Sequence, residues 1–580
     1  MPPRHSSLAG GRRRLRRTGW SLLAAAVYSS AAPGRASAAD YYVAPAPAGS
    51  DSNPGSLEAP FASLQKGHDV ATAGDTVWLR AGRYQVTKQI KLSKSGQSDT
   101  QRIKFWAYRG EHPLIDFSGY VTTNTAADVP ALLVTGNWLH LKGLEIANVP
   151  VGKSGDHSIS ALRSEGASNN VFELLDIHDN FGPGLFISKG SGGNLILNCD
   201  SHDNYDKNGS QGDGQNADGF GVHYQESGPS TIVRGCRAWF NSDDGYDLIS
   251  QEVPVTIEGS WATRNGYADK GATSPSSGNG NGFKAGSSTT GIRHLLQNDV
   301  AWKNRAAGFY ANHSSGGNTW LNNTSYMNSV QYNMLASPPD DTSATIILTG
   351  DKVHQLRNNV GFPNKNTNMG GVDSLFNTWD LGIAEMSTDF ASTMDAGYDG
   401  PRQADGSLPA LDFLQLKIGS PLVDKGTDVG LPAIGAPDLG AYELGATKPS
   451  GGAGGSPGSA GNGPQGGVTS SGGAGAAAGA GGEAAGGGGL PSANGGAAGS
   501  GGAPRAGAGS GGGASGAAGT SSASSSGASH AEAGASPIAN GAAGDAGCAC
   551  RTGAGGEGGA RRGVSWLGAL VLLGLRRRRR

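Results

Sequence analysis

An asparagine recurs along the middle of this chain at Asn180, Asn204, Asn241, Asn265, Asn304 and Asn328, at intervals of 24, 37, 24, 39 and 24 residues. Each closes a short apolar-rich segment, as in the runs that end in His-Asp-Asn at Asn180 and Asn204. A fixed period of this size marks a repeat architecture, in which each unit buries its face only against its neighbours. A 24-residue unit with several short strands is what one coil of a parallel β-helix requires, stacked at a strand spacing of about 4.8 Å. An asparagine at one place per coil has a task there. Its amide can hydrogen-bond the amides above and below, and Asn tolerates the left-handed turn conformation. The expected fold is therefore all-β, a parallel β-helix (a solenoid) over residues 39–445 with an N-terminal capping helix at 61–71. Residues 420–444 are expected to cover the other end, because open sheet edges would pair with other chains.

The two long intervals exceed 24 by 13 and 15 residues, accommodated in Gly/Asn/Ser-rich loops at about 206–216 and 268–279. Loops on a rigid scaffold commonly build a site. After each asparagine comes a second in-register motif: Pro183-Gly184-Leu185-Phe186, Asp218-Gly219-Phe220-Gly221, Asp244-Gly245-Tyr246-Asp247, Asn281-Gly282-Phe283-Lys284 and Ala307-Gly308-Phe309-Tyr310. Stacked by column, Asp218 lies one coil below Asp244, and Asp247 one coil below Lys284. Asp218, Asp243, Asp244 and Asp247 thus fall in a small volume, where like charges need protons or a cation among them. Several carboxylate oxygens form a hard-ligand set suited to Ca²⁺, whereas Asp-Asp-Gly alone could be a solvated turn. Lys284 ordinarily has a pKa of about 10.4 and is a poor base at neutral pH. Beside Ca²⁺ its ammonium form is disfavoured, which makes it a candidate base; an ordinary ion pair with Asp247 is the alternative.

Both ends look like transport segments rather than parts of the solenoid. Residues 1–38 read as a signal peptide, with Arg12, Arg13, Arg14, Arg16 and Arg17 before an apolar run at 20–28 and Ala36-Ser37-Ala38 as the cleavage site. Residues 446–547 are almost wholly Gly, Ala and Ser, too poor in apolar side chains to offset the entropy of ordering them, and read as a disordered linker. Residues 548–580 join Cys548-Ala549-Cys550 to an apolar run at 564–575 and five terminal arginines. That run is short for a bilayer span, and its basic end should stay cytoplasmic. This tail resembles the C-terminal sorting tails of myxobacterial exported proteins, which implies processing near Cys548, transient membrane association and anchorage at the cell surface. The residues between the two basic ends, 39–550, carry 30 basic against 46 acidic side chains. Such a domain is a poor nucleic-acid binder, and a polyanionic partner would need a cation to mediate contact.

Three stretches carry a resemblance to a known family: Asn216-Ala217-Asp218-Gly219-Phe220, Asn241-Ser242-Asp243-Asp244-Gly245-Tyr246-Asp247-Leu248, and Gly278-Asn279-Gly280-Asn281-Gly282-Phe283-Lys284. Together they resemble polysaccharide lyase family 9, the right-handed β-helical pectate lyases; Tyr41-Tyr42-Val43, Gly49-Ser50-Asp51 and Gly74-Asp75-Thr76-Val77 are similar to that family's first coils. The resemblance implies that Asp218, Asp243, Asp244 and Asp247 bind one Ca²⁺ and that Lys284 is the base. It implies β-elimination on an acidic polysaccharide, polygalacturonate, giving 4,5-unsaturated products; the leader adds the expectation of export, and the enzyme is expected to be a monomer.

His223, Arg305, Tyr310 and His313 lie near the same columns and are weaker candidates for substrate contact. Cys199 and Cys236 each stand five residues before a ladder asparagine, which permits a disulfide or two stacked thiols. Two rival functions remain open on sequence. A β-helical glycoside hydrolase would use paired carboxylates without calcium or Lys284; a surface module would bind polysaccharide without cleaving it.

Overall fold

The computed structural model describes residues 38–446 apart from 122–128, 154, 191, 287–290 and 340. The leader, linker and tail expected at 1–38, 446–547 and 548–580 lie outside these residues except at 38 and 446. A first sheet of twelve strands runs from Asp40–Val43 to Val372–Leu375, and a second of ten from Gly82–Gln85 to Val360–Phe362. A third of nine runs from Ile90–Leu92 to Val330–Asn333. Through the central coils the chain visits the sheets in turn, and each strand pairs in parallel with its counterpart one coil away. This is the expected right-handed parallel β-helix, the hand that a twisted strand imposes on a parallel crossover.

The asparagine ladder forms as a continuous chain of side-chain hydrogen bonds. Nδ2 of Asn180, Asn204, Asn241, Asn265 and Asn304 donates to Oδ1 of the next member at 3.0, 2.9, 3.1, 2.9 and 3.0 Å. All six residues are buried, so each bond replaces water that the amide has lost. The left-handed turn falls not on the asparagine but on the residue before it: Asp179, Asp203, Phe240, Arg264, Lys303 and Met327 have φ between 52° and 55°. Such a conformation costs a non-glycine residue about 1–2 kcal/mol, a strain the hydrogen-bonded ladder holds in place. The glycine of the second motif is a consequence of the ladder. A Cβ on Gly219, Gly245 or Gly282 would come within 2.9 Å of a ladder Nδ2 and within 2.7 Å of the carbonyl of the glycine in the next coil. The residue that follows points inward, and Phe220, Tyr246, Phe283, Phe309 and Tyr332 stack at centroid distances of 4.6–5.1 Å. Trp379 packs on the last of these rings at 5.0 Å and covers that end of the stack.

The N-terminal helix is shorter than the sequence suggests, Leu64–Val70 rather than 61–71. Ser63 ends it by accepting the Lys66 N–H at 3.1 Å, and Phe61 instead forms a bridge to Val43 and enters the core. Residues 420–444 do not cap the solenoid. They belong to a segment that runs back along the outer face of the second sheet, where Leu422, Leu439 and Tyr442 cluster with Trp261, Val300 and Val360. The Trp261 indole N–H donates to the Tyr442 hydroxyl at 3.0 Å. Those outward apolar side chains needed a cover, and the C-terminal segment supplies it. Cys199 and Cys236 are stacked, buried, free thiols; the Cys199 N–H donates to the Cys236 Sγ at 3.4 Å.

A candidate active site and metal centre

The third sheet presents one outward row of side chains across successive coils. Gly221 pairs with Asp247, Asp247 with Lys284, and Lys284 with Tyr310. Asp218 lies on the turn before the strand Phe220–His223, and Asp243 and Asp244 on the turn before Tyr246–Leu248. The Asp244 N–H donates to Asp218 Oδ1 at 3.2 Å, which ties the two turns together. Asp218, Asp243 and Asp244 each bring a side-chain oxygen within 4.8 Å of the others, and Asp218, His223 and Asp247 do the same with their ligand atoms. The columns read from sequence therefore converge on one cluster.

All of it is buried: Asp244 is 0 % exposed and Lys284 7 %. Lys284 Nζ lies 3.0 Å from Asp244 Oδ2 and 3.2 Å from Asp247 Oδ2, and donates to Asn279 Oδ1 at 2.8 Å. Burial raises the pKa of all four carboxyls, and their mutual repulsion reinforces the shift for Asp218 and Asp243, where it lifts them well above the ordinary range. Lys284 carries the complementary effect. Burial favours its neutral form, but the field of Asp244, Asp247, Asp243 and Asp218 outweighs burial and holds the ammonium well above its usual pKa. His223 is neutral: burial, then Lys284 and Arg163, bring it down to about 3. Its Nε2 is 3.6 Å from Asp247 Oδ2.

Four carboxylates with one lysine leave an excess of buried negative charge. Asp247 Oδ1 has no hydrogen-bond partner among the described residues. An orphaned buried carboxylate oxygen within an all-oxygen set fits a hard divalent cation of the calcium type.

The weaker candidates separate. Arg305 braces the second long loop: one of its terminal nitrogens donates to the carbonyls of Gly278 and Asn279. Tyr310 continues the row one coil past Lys284. His313 is buried, with its Nδ1 2.7 Å from the Ser337 hydroxyl. The two long loops join into one wall, as the Ser277 N–H donates to the Asp213 carbonyl at 2.8 Å. Sequence reading passed over Asn279, whose side chain holds Lys284 and whose N–H donates to Asp243. Its signal was a polar amide between two glycines, five residues before the lysine, in a motif already singled out.

Residues 41–367 match the family described as "Pel9A-like, right handed beta helix region". The chain belongs to that family. The resemblance to polysaccharide lyase family 9 read from the aspartate and lysine motifs is thereby borne out. Among curated relatives, pectate lyase L of Dickeya dadantii (strain 3937) is 34% identical over 416 residues, covering 70% of this chain and 90% of its own. Pectate lyase PEL9 of Emericella nidulans is 31% identical over 410 residues, covering 65% and 92%. Among solved structures, pectate lyase Pel9A aligns with a TM-score of 0.60 at 33% identity, covering 71% of this chain and 97% of that one. A rhamnogalacturonan lyase aligns with a TM-score of 0.57 at 31% identity, covering 65% and 96%.

Proposed function

We propose that this chain is a calcium-dependent pectate lyase that cleaves polygalacturonate by β-elimination. The single observation that carries the reading is a lysine amine, Lys284 Nζ, buried against Asp244 and Asp247 in a nest of four carboxylates on the floor of an outward row. Asp218, Asp243, Asp244 and Asp247 would hold the cation. Bound calcium would supply positive charge that offsets the carboxylates and the substrate's C6 carboxylate, easing both a neutral amine and the negative charge that develops at C5.

The chain's own residues do the rest. Asn279 Oδ1 accepts a hydrogen bond from the amine and so aims Nζ along the row. Lys284 takes the C5 proton; the C5–H electron pair becomes the C4=C5 double bond, and the C4–O pair departs with the leaving chain. No side chain in the motifs must protonate that oxygen, so water serves. A cation held by the four aspartates would bridge protein carboxylates and a polyuronate, so contact with the substrate carboxylate would be metal-mediated rather than direct.

The likeness to a rhamnogalacturonan lyase favours a second polymer, rhamnogalacturonan, handled by the same machinery. For the flanking segments we infer the arrangement read from sequence: a leader at 1–38, a spacer at 446–547 and a sorting tail at 548–580 that hold an exported domain at the cell surface. The test is the ultraviolet absorbance of unsaturated product from polygalacturonate and rhamnogalacturonan, with calcium and then with a chelator. Product with calcium and none with chelator supports the reading. Saturated reducing ends formed equally in both would instead assign a hydrolase.

A further inference from the structure

The outer face of the first sheet carries an aromatic patch on its first coils that the active site does not use. Tyr42 pairs with Trp78, Trp78 with Trp106, and Trp106 with Lys142, one residue per coil in a single outward row. Tyr108 stands beside the row. The rings touch in sequence, Tyr42 to Tyr108 at 5.8 Å, Tyr108 to Trp78 at 6.0 Å and Trp78 to Trp106 at 5.6 Å. All four are only half-buried.

Cations frame these rings. Lys104 and Lys142 lie 5.3 and 5.7 Å from the Trp106 ring, and Arg80 and Arg109 lie 4.9 and 5.2 Å from the Tyr108 ring. Arg80 is held by Glu111 and Lys142 by Glu173. Lys104 and Arg109 have no carboxylate partner among the described residues, so their charge is available to a ligand. Trp106, Arg109 and Lys142 also line the mouth of an open groove of about 1250 Å³ that continues to Trp239 and Tyr398.

We propose that this aromatic patch forms a second, non-catalytic site for an acidic polysaccharide. The choice of polymer rests on the lyase reading; the choice of ligand class rests on charge and surface chemistry. Residues 38–120 hold 9 basic and 8 acidic side chains, against 19 and 35 in residues 121–446. This end is thus near neutral where the remainder of the folded domain is strongly acidic, so it repels a polyanion less. Flat rings bury the C–H faces of sugars while their framing cations meet carboxylates, and neither contact needs a metal.

The test uses the full-length chain carrying Lys284→Ala, in EDTA, run by affinity electrophoresis through polygalacturonate. The parent should be retarded, and less so as salt rises. Adding Trp106→Ala, Lys104→Gln and Arg109→Gln should weaken binding by about tenfold or more. The same three changes in the catalytically intact chain should leave turnover of trigalacturonate unchanged. The proposal is overturned if the parent is not retarded in EDTA, or if the triple variant binds as the parent does. Self-association of the parent that the three changes abolish would also overturn it, by assigning the patch to a second copy. Any of these leaves the lyase reading intact. EDTA-resistant binding without unsaturated product from any polyuronate would sink the lyase reading and support the surface.

Discussion

Asn265→Ala removes one rung from the ladder, and its consequence can be worked from the bonds that rung makes. Asn265 is fully buried. Its Oδ1 accepts the Asn241 N–H at 3.2 Å and the Asn241 Nδ2 at 3.1 Å. Its Nδ2 donates to the Ala238 carbonyl at 3.2 Å and to Asn304 Oδ1 at 2.9 Å. Truncation strands the Asn241 N–H and one hydrogen of its Nδ2, which keeps its bond to the Ser201 carbonyl at 3.0 Å, and removes one donor each from the Ala238 carbonyl and Asn304 Oδ1. A buried polar group left without a partner costs about 1–3 kcal/mol. The Asn304 oxygen still accepts the Asn265 backbone N–H at 3.1 Å, so it keeps one partner. Counting the Asn241 N–H in full and the groups that keep a partner in part gives a destabilisation of roughly 2–4 kcal/mol. Asn265→Asp keeps one acceptor but turns a buried carboxylate oxygen toward the Ala238 carbonyl and Asn304 Oδ1, and should lose at least as much. The assay is urea unfolding followed by far-ultraviolet circular dichroism. Asn364→Ala, at an exposed position, serves as the control expected within about 0.5 kcal/mol of the parent. A loss for Asn265→Ala no larger than the control would refute the claim that the ladder holds the coils in register.

Calcium at about 100 times its dissociation constant should stabilise the protein by about 2.7 kcal/mol, and chelation should reverse the gain in a thermal melt. The metal-free protein should lose stability as pH rises from mildly acidic values. Asp218, Asp243, Asp244 and Asp247 have folded pKa values raised by burial, and Asp206 is raised to about 7 for the same main reason. A raised folded pKa gives stability that is full below the unfolded value and is lost as pH climbs through the folded one. Melting temperature against pH, with and without calcium, reads this; a metal-free melt that strengthens from pH 5 to 8 would contradict it. Arg305→Ala frees the carbonyls of Gly278 and Asn279 and should lower kcat about tenfold or more by loosening the Asn279 hold on Lys284, with a smaller change in KM. Cys199 and Cys236 should resist a thiol reagent in the native protein and both react after unfolding.

Much of this was legible in the residues because a solenoid writes its geometry into spacing. The 24-residue intervals fixed which asparagines meet, and the same register carried Asp247 onto Lys284 with no structural information. What was missed depends on contacts without a period. The C-terminal segment follows the outer face of the second sheet because Trp261 and Val300 point outward there, and a strand pattern alone does not say what covers them. A second ladder runs through Asp299, Asn323, Asn359 and Asn377, with side-chain acceptors at 2.8–3.1 Å. Its irregular intervals of 24, 36 and 18 residues hid it. In the site, column logic found charges that stack between coils, while Asn279 reaches Lys284 from a loop, outside any column.

The most direct test of the account compares the unmodified chain with Lys284→Ala in two readouts: unsaturated product formed per second, and calcium affinity by titration calorimetry. If Lys284 is the base and the four aspartates hold the cation, product formation should fall by about 10³-fold or more while calcium still binds. A variant that keeps turnover within about tenfold of the parent while binding calcium normally would contradict that assignment.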